Sequence, residues 1–303
     1  MKKIQTNLLD YLENDSSDEL NQEIKNISKI ITNKYDFKSF LNIIMRIAEN
    51  HNRSHNFFTR IFNILTYFKE DIKKYFTNPE IYELFKNCKR IILFLVEEKM
   101  MIIDEAIIKK MIYHPREYTT KFLLQYFQPE IMPFMYEEWF PESTRGYAKL
   151  ENEIPENFYE KRRIGENDSI ICELIRNDSI DEFSTYVAKN QIALESQIVP
   201  TIYETNDYLL TGPNPTLIEY SAFYGSIQIF NYLRFSKAHM PPSIWNYAIH
   251  GDNPEIIHIL EGNFIEIPND SFKLLIDESI KCHNNKFANY FIEKVDEMNL
   301  NFK

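Results

Sequence analysis

The stretch Thr216–Leu233 reads TLIEYSAFYGSIQIFNYL, and it decides the fold of the C-terminal half of the chain. A first helix with the small residues Ser221 and Ala222 is predicted to end at Gly225, and a second helix opens on an apolar pair. Similar residues recur 27 positions later and again 31 positions after that. The aligned pairs are Tyr220 and Tyr247, Ser221 and Ala248, and Leu233 and Leu260, followed by Ala248 and Ser279, Asn253 and Asn284, and Leu260 and Phe291.

A repeat of about 30 residues made of two helices cannot bury its apolar face alone, so neighbouring copies must stack. A weaker copy precedes the strong one and runs through Asp178, Phe183 and Tyr186. We therefore predict an all-α fold, an α-solenoid of stacked antiparallel helix pairs with little or no sheet. Helices are expected at Thr216–Tyr224, from Ser226 or Ile227 to Leu233, at Ile244–His250 and at Pro254–Leu260. The side chains expected to be buried between copies are Ala222, Ile229, Phe230, Leu233, Trp245, Ala248, Ile256 and Leu260.

Local signals support these helix starts. Both Ser179–Glu182 and Thr216–Glu219 fit the S/T-x-x-E capping box, in which each side chain satisfies an otherwise unbonded helix amide. The longer connection from Gln191 to Pro215 contains Ile198, Val199, Ile202 and Tyr203, which is enough for one additional helix.

The N-terminal half is predicted to be helical too, because apolar residues recur at helical spacing and glycine is absent before Gly146. Residues 8–31 give a first helical stretch, and shorter helices are expected at Asp104–Ile112 and Glu117–Phe127. Prolines interrupt the pattern between Pro129 and Pro155. We place a boundary there, which separates a helical region, residues 1–155, from a repeat region, residues 156–303.

Composition excludes several classes of function. Six glycines among 303 residues, and no G-x-G-x-x-G or G-x-x-x-x-G-K motif, disfavour nucleotide-binding folds. A net charge of −11 disfavours nucleic acid, whose binders need a basic surface. The longest apolar run, Ile91–Val96, is far shorter than a membrane span. No secretory signal is visible, so an intracellular, cytoplasmic protein without a cofactor is expected.

The strong copy resembles an ankyrin repeat. Thr216 stands at the opening threonine, Ser221 and Ala222 at the small pair, Gly225 at the glycine, and Gln228–Phe230 at the E-I-V element. The spacing is shorter than the ankyrin period, which indicates trimmed connections. The chain is also similar to a divergent, lineage-expanded ankyrin-like family of parasitic protists whose domain has no known function. The segments that carry this similarity are Gly165–Asp168, Glu204–Asn206, Leu217–Tyr220, Gly225–Phe230 and Trp245–His250.

This resemblance implies a non-enzymatic scaffold for protein–protein interaction, and it brings no catalytic residues. By the same resemblance, the partner-binding surface is expected on the ends of first helices and on the connections between copies. The candidate residues there are Phe223, Tyr224, His239, Met240 and His250. In the alternative, Phe223 and Tyr224 are not exposed and pack against the longer connection before Thr216.

Two chemical alternatives are disfavoured by the sequence. His250, Glu255 and His258, with Cys282 and His283 in the next copy, could supply metal ligands, but the repeat alignment does not make them converge. Cys282 could act as a nucleophile, but no oxyanion motif accompanies it. We therefore expect no metal site and no catalytic site; the remaining alternative is a helical-repeat enzyme or enzyme subunit with an unrecognised site.

Overall fold

The computed structural model describes residues 2–13, 24–29, 31, 33–50, 56–113, 117–148, 154–263, 267 and 271–297. Throughout these residues every regular element is a helix, and the only β-type pairing is an isolated antiparallel bridge between Gln197 and Thr216. The predicted all-α class is therefore confirmed. The predicted first stretch, residues 8–31, is helical at residues 8–13 and 24–29 but not at residue 31; its residues 14–23 and 30 lie outside the described part.

The chain divides into two compact units. Unit 1 comprises Met1–Glu49, Arg53–Glu166 and Thr201–Leu210, and unit 2 comprises Asn50–Asn52, Asn167–Pro200 and Thr211–Lys303. This division differs from the boundary predicted near residue 155, because residues 156–166 belong to unit 1. The physical reason is Arg162, which is buried and donates to both carboxylate oxygens of Glu130 at 2.8 and 2.9 Å.

Unit 1 is a helical bundle around an aromatic and aliphatic core that includes Phe37, Phe40 and Phe68. The Phe40 and Phe68 rings meet edge to face at 5.2 Å. Its helices are α1 Lys2–Glu13, α2 at residues 24–29, α3 Lys34–Asn50, α4 Phe57–Tyr67, α5 Lys69–Tyr75, α6 Asn78–Phe85, α7 Lys89–Glu97, α8 Glu105–Ile112, α9 Glu117–Tyr126, α10 Gln128–Ile131, a 3-10 turn Met132–Phe134, α11 Glu142–Ala148 and α12 Phe158–Ile164.

In the sequence, the segment Thr201–Leu210 lies between two parts of unit 2, but it packs within unit 1. The Thr205 hydroxyl donates to the carbonyl of Gly165 at 2.7 Å, and the Lys89 ammonium donates to the carbonyl of Ile202 at 3.2 Å. The additional helix predicted in this connection is present, but it covers Asp207–Thr211 (α15) and not the apolar residues from Ile198 to Tyr203.

Within its described residues, unit 2 consists of four successive helix pairs. The pairs are α13 Ile170–Arg176 with α14 Ile180–Asn190, α16 Leu217–Phe223 with α17 Ile227–Phe235, α18 Ile244–Gly251 with α19 Pro254–Gly262, and α20 Phe272–Lys281 with α21 Asn285–Glu297. The four helices predicted between Thr216 and Leu260 are confirmed. First helices pack on first helices, in the order α13, α16, α18, α20, and α17 packs between α14 and α19.

The turn inside each pair contains one residue with a positive φ. Gly225 adopts a φ of +66°, as predicted for the residue that ends a first helix, and Asp178, Asp252 and His283 adopt φ values of 48° to 59° in the other three pairs. The next residue then reaches back to the preceding turn. Ser226 donates to the carbonyl of Ile175 at 2.6 Å, Asn253 to that of Gly225 at 2.8 Å, and Asn284 to the carboxylate of Asp252 at 2.6 Å.

The starts of α16 and α17 are capped in different ways. The predicted box at Thr216 forms, with the Thr216 amide donating to Glu219 at 2.9 Å and the Glu219 amide donating to the Thr216 hydroxyl at 3.4 Å. The box predicted at Ser179 does not form, since the Ser179 side chain makes no cap bond. The Asp178 carboxylate, in the turn before Ser179, instead accepts from two amides at the start of α17 in the next pair, at 2.9 and 3.0 Å.

All eight side chains predicted to be buried between copies are buried. The close fit of α16 against α18 depends on Gly251, because a Cβ at this position would overlap the backbone carbonyl oxygen of Ala222. The small pair of the repeat and the absence of a side chain at Gly251 thus bring the two helix backbones together.

Candidate functional site

The connection between α17 and α18 carries two of the predicted partner-binding residues. His239 is exposed and Met240 is half-buried. The His239 amide donates to the Glu195 carboxylate at 2.8 Å, so this connection meets the connection that precedes Thr216. Phe235, at the end of α17, is 73% exposed, and sequence reasoning did not select it. We call Phe235, His239 and Met240 the connection surface.

The other predicted site residues do not form an open groove. Phe223 and His250 are buried, and their rings stack with centroids 5.0 Å apart at 26°. Tyr224 is half-buried, with its ring 5.1 Å from that of Phe223. Of the two alternatives for Phe223, the structure therefore favours the one in which it is not exposed, and His250 is buried as well. The reason lies in the packing of first helices, since every residue of Leu217–Phe223 is buried.

His250 instead belongs to a buried cluster with Glu278 and Cys282. Its Nε2 lies 3.0 Å from Oε1 of Glu278, and the Cys282 sulfur lies 3.5 Å from its Nδ1 and 3.7 Å from its Nε2. His250 comes from the end of α18, whereas Glu278 lies on α20 and Cys282 immediately follows it. One donor atom from each residue lies within 4.8 Å of the others. We call these three residues the His–Glu–Cys cluster.

Electrostatics within the cluster keep the thiol neutral. Burial, followed by the nearby carboxylate of Glu278, raises the pKa of Cys282 far above its ordinary value. The pKa of Glu278 is lowered: burial opposes ionisation, but hydrogen bonds from His250 and Lys281 outweigh it. Lys281 bonds Oε2 of Glu278 at 2.9 Å, while Oε1 faces His250.

These residue types are those of a thiol hydrolase or of a transition-metal site. A nucleophilic cysteine needs an accessible thiolate, and Cys282 is only 7% exposed with a raised pKa. Nucleophilic catalysis by this thiol is thus disfavoured. Imidazole, thiolate and carboxylate together are, by contrast, the donor set typical of zinc.

Sequence reasoning considered His250 and Cys282 but missed Glu278. His258, which it grouped with His250, is exposed on α19 and pairs with Glu261 at 3.2 Å. Two signals could have identified the cluster. Glu278 and Cys282 are four residues apart and so share a helix face, and the 31-residue offset places Cys282 opposite Gly251, next to His250.

The chain matches no family model, and it shows no significant similarity to a curated protein or to a solved structure. Over the residues that the structure describes, no helix combines the length and the apolar character needed to cross a bilayer.

Proposed function

We propose that unit 2 is an ankyrin-like α-solenoid that works as a non-enzymatic scaffold for protein–protein interaction. The main support is the order in which the helices pack, because first helices follow one another along the array. In addition, Ser226, Asn253 and Asn284 each donate a side-chain hydrogen bond to the preceding helix pair. Nearest-neighbour stacking of this kind is the organisation of repeat proteins, which mostly present extended surfaces to partners.

The proposed partner site is the connection surface. It combines an exposed aromatic side chain, Phe235, with the neighbouring His239 and Met240. Exposed aromatic residues are the side chains best able to anchor a protein partner. The stretch from Arg234 to Pro242 also contains Lys237 and no acidic residue, although the chain as a whole carries a net charge of −11. A partner segment that presents apolar side chains beside carboxylates fits this surface.

The test compares one double variant and one single-residue control with the wild type in quantitative affinity capture from extracts of the native organism. Phe235→Ala with Met240→Ala removes the apolar part of the connection surface. The control is Tyr136→Ala, which removes an aromatic residue of unit 1 that is 83% exposed. We expect the wild type and the control to retain the same protein, and the double variant to retain it roughly tenfold less.

Each capture must be accompanied by a circular dichroism melt, because the double variant changes mainly exposed groups and should keep its melting temperature. Equal retention by the double variant, with a folded chain, would show that the connection surface does not bind the partner. Absence of any protein enriched on the wild type over the empty matrix would count against the scaffold function itself.

A further inference from the structure

We propose that the His–Glu–Cys cluster binds one zinc-class divalent ion between α18 and α20. The protein ligands are Nε2 of His250, Oε1 of Glu278 and Sγ of Cys282. This site is independent of the scaffold function. Its three ligands do not form a known metal-binding sequence motif.

Distances within the cluster suit a tetrahedral ion. Zinc lies about 2.3 Å from sulfur and about 2.0–2.2 Å from nitrogen or oxygen, which places sulfur about 3.5 Å and oxygen about 3.3 Å from the ligating nitrogen. The structure has Sγ of Cys282 at 3.7 Å and Oε1 of Glu278 at 3.0 Å from Nε2 of His250. The sulfur also lies 3.5 Å from Nδ1 of His250, so the Cys282 side chain has to rotate towards the Nε2 side of the ring for all three atoms to reach ligand distances.

The surroundings hold these side chains in place. The Phe223 ring stacks on His250 and fixes the imidazole plane. Glu278 and Cys282 are one helical turn apart and present their donor atoms on one face. Since His250 is 6% exposed and Cys282 7%, the ion is shielded from bulk water on their side. The Glu278 side chain is 13% exposed, so a water molecule that completes the coordination would enter from that side.

The Glu278 carboxylate gives the cluster a negative charge that favours a cation, and its other oxygen bonds the Lys281 ammonium at 2.9 Å. A bound dication stabilises the Cys282 thiolate directly. Binding therefore displaces the thiol proton into solvent, and the sulfur–metal bond forms.

The choice of ion follows from the ligands. Calcium and magnesium prefer oxygen donors only, whereas one sulfur, one nitrogen and one oxygen donor suit zinc and cobalt(II). Cobalt(II) is the better probe, since its bond to a thiolate gives a charge-transfer absorption that zinc lacks.

The experiment titrates the purified full-length chain, reduced and metal-free, with cobalt(II) chloride and then with zinc chloride. We expect one equivalent of cobalt to produce the thiolate charge-transfer band and one equivalent of zinc to abolish it. Cys282→Ser should lose the band, and Glu278→Gln should weaken cobalt affinity at least tenfold. The matched controls are Cys172→Ser, a buried cysteine on α13, and His258→Gln, and both should behave as wild type.

Amide hydrogen exchange gives a second readout that does not depend on a variant. Zinc should slow exchange in α18 and α20 of the wild-type chain and leave α3 and α4 in unit 1 unchanged. No thiolate band with the wild type, a band retained by Cys282→Ser, or protection that does not include α18 and α20 would each overturn the proposal. If Cys282→Ser does not fold, Glu278→Gln and the exchange pattern decide the question.

Discussion

Replacing Gly251 with alanine tests whether first helices are in backbone contact. A Cβ at Gly251 would overlap the carbonyl oxygen of Ala222 on α16 and would lie 2.9 Å from the amide nitrogen of Gly225. Ordinary contact for a Cβ begins at 3.4 Å, so α18 would have to move from α16 by about 1 Å or more. Overpacking of a tight interface costs about 1–3 kcal/mol, and occasionally more. Because the obstacle is backbone, which cannot rotate away, we expect a loss at or above the upper end, about 3 kcal/mol.

The control for this substitution is Gly262→Ala. Gly262 lies at the end of α19 and an added Cβ would meet no atom within 4 Å. Alanine is the better helix former, so this variant should be neutral or more stable by up to about 1 kcal/mol. Urea denaturation followed by circular dichroism measures both free energies of unfolding. Amide exchange of Gly251→Ala should also accelerate first in α16 and α18. Equal stability of the two variants would refute the close helix contact.

Three further substitutions test packing, capping and charge. Phe230→Ala should cost about 3–5 kcal/mol, since the ring is fully buried, and amide exchange should accelerate in the flanking helix pairs; unchanged exchange there would contradict nearest-neighbour stacking. Asp178→Ala should cost about 1–2 kcal/mol in urea denaturation, because α17 loses two cap bonds from the preceding pair, and a cost near zero would show that water replaces the carboxylate. In unit 1, a hydrogen bond from Lys34, then one from the Thr77 amide, lowers the pKa of Glu80 from 4.5 to about 2. The unfolded chain therefore binds this proton more readily, and stability should fall as pH drops from about 4.5 towards 2. Glu80→Gln should flatten this dependence in acid titrations at low salt, and an unchanged slope would show that the exposed pair contributes nothing.

Local pattern was sufficient for the helices and for the core of unit 2. Apolar spacing gave α16 to α19 and the buried set around Phe230, because a residue's helix face follows from its position in sequence. The predicted positive φ of Gly225 is confirmed for the same local reason, since a residue in the left-handed conformation is needed to end the first helix.

Features that depend on distant partners could not be obtained in this way. Glu278 bonds His250 across 28 residues, and only the stacked helices show that the two meet. Arg162 belongs to unit 1 because of Glu130, 32 residues earlier, and nothing in the local pattern indicates that. The two alternatives for Phe223 could not be separated for the same reason, because apolar spacing does not reveal that every residue of Leu217–Phe223 is buried.

The two proposed sites lie at opposite ends of one helix, and this makes them separable. His239 and Met240 precede the start of α18, whereas His250 lies at its end. An eight-residue helix is about 12 Å long, so an ion at the His–Glu–Cys cluster does not contact a partner at the connection surface. The variants Phe235→Ala and Met240→Ala should therefore leave cobalt binding unchanged. Cys282→Ser can affect partner capture only by altering the packing of α18 against its neighbours. Partner capture that depends on zinc would consequently report coupling through α18 rather than a shared site.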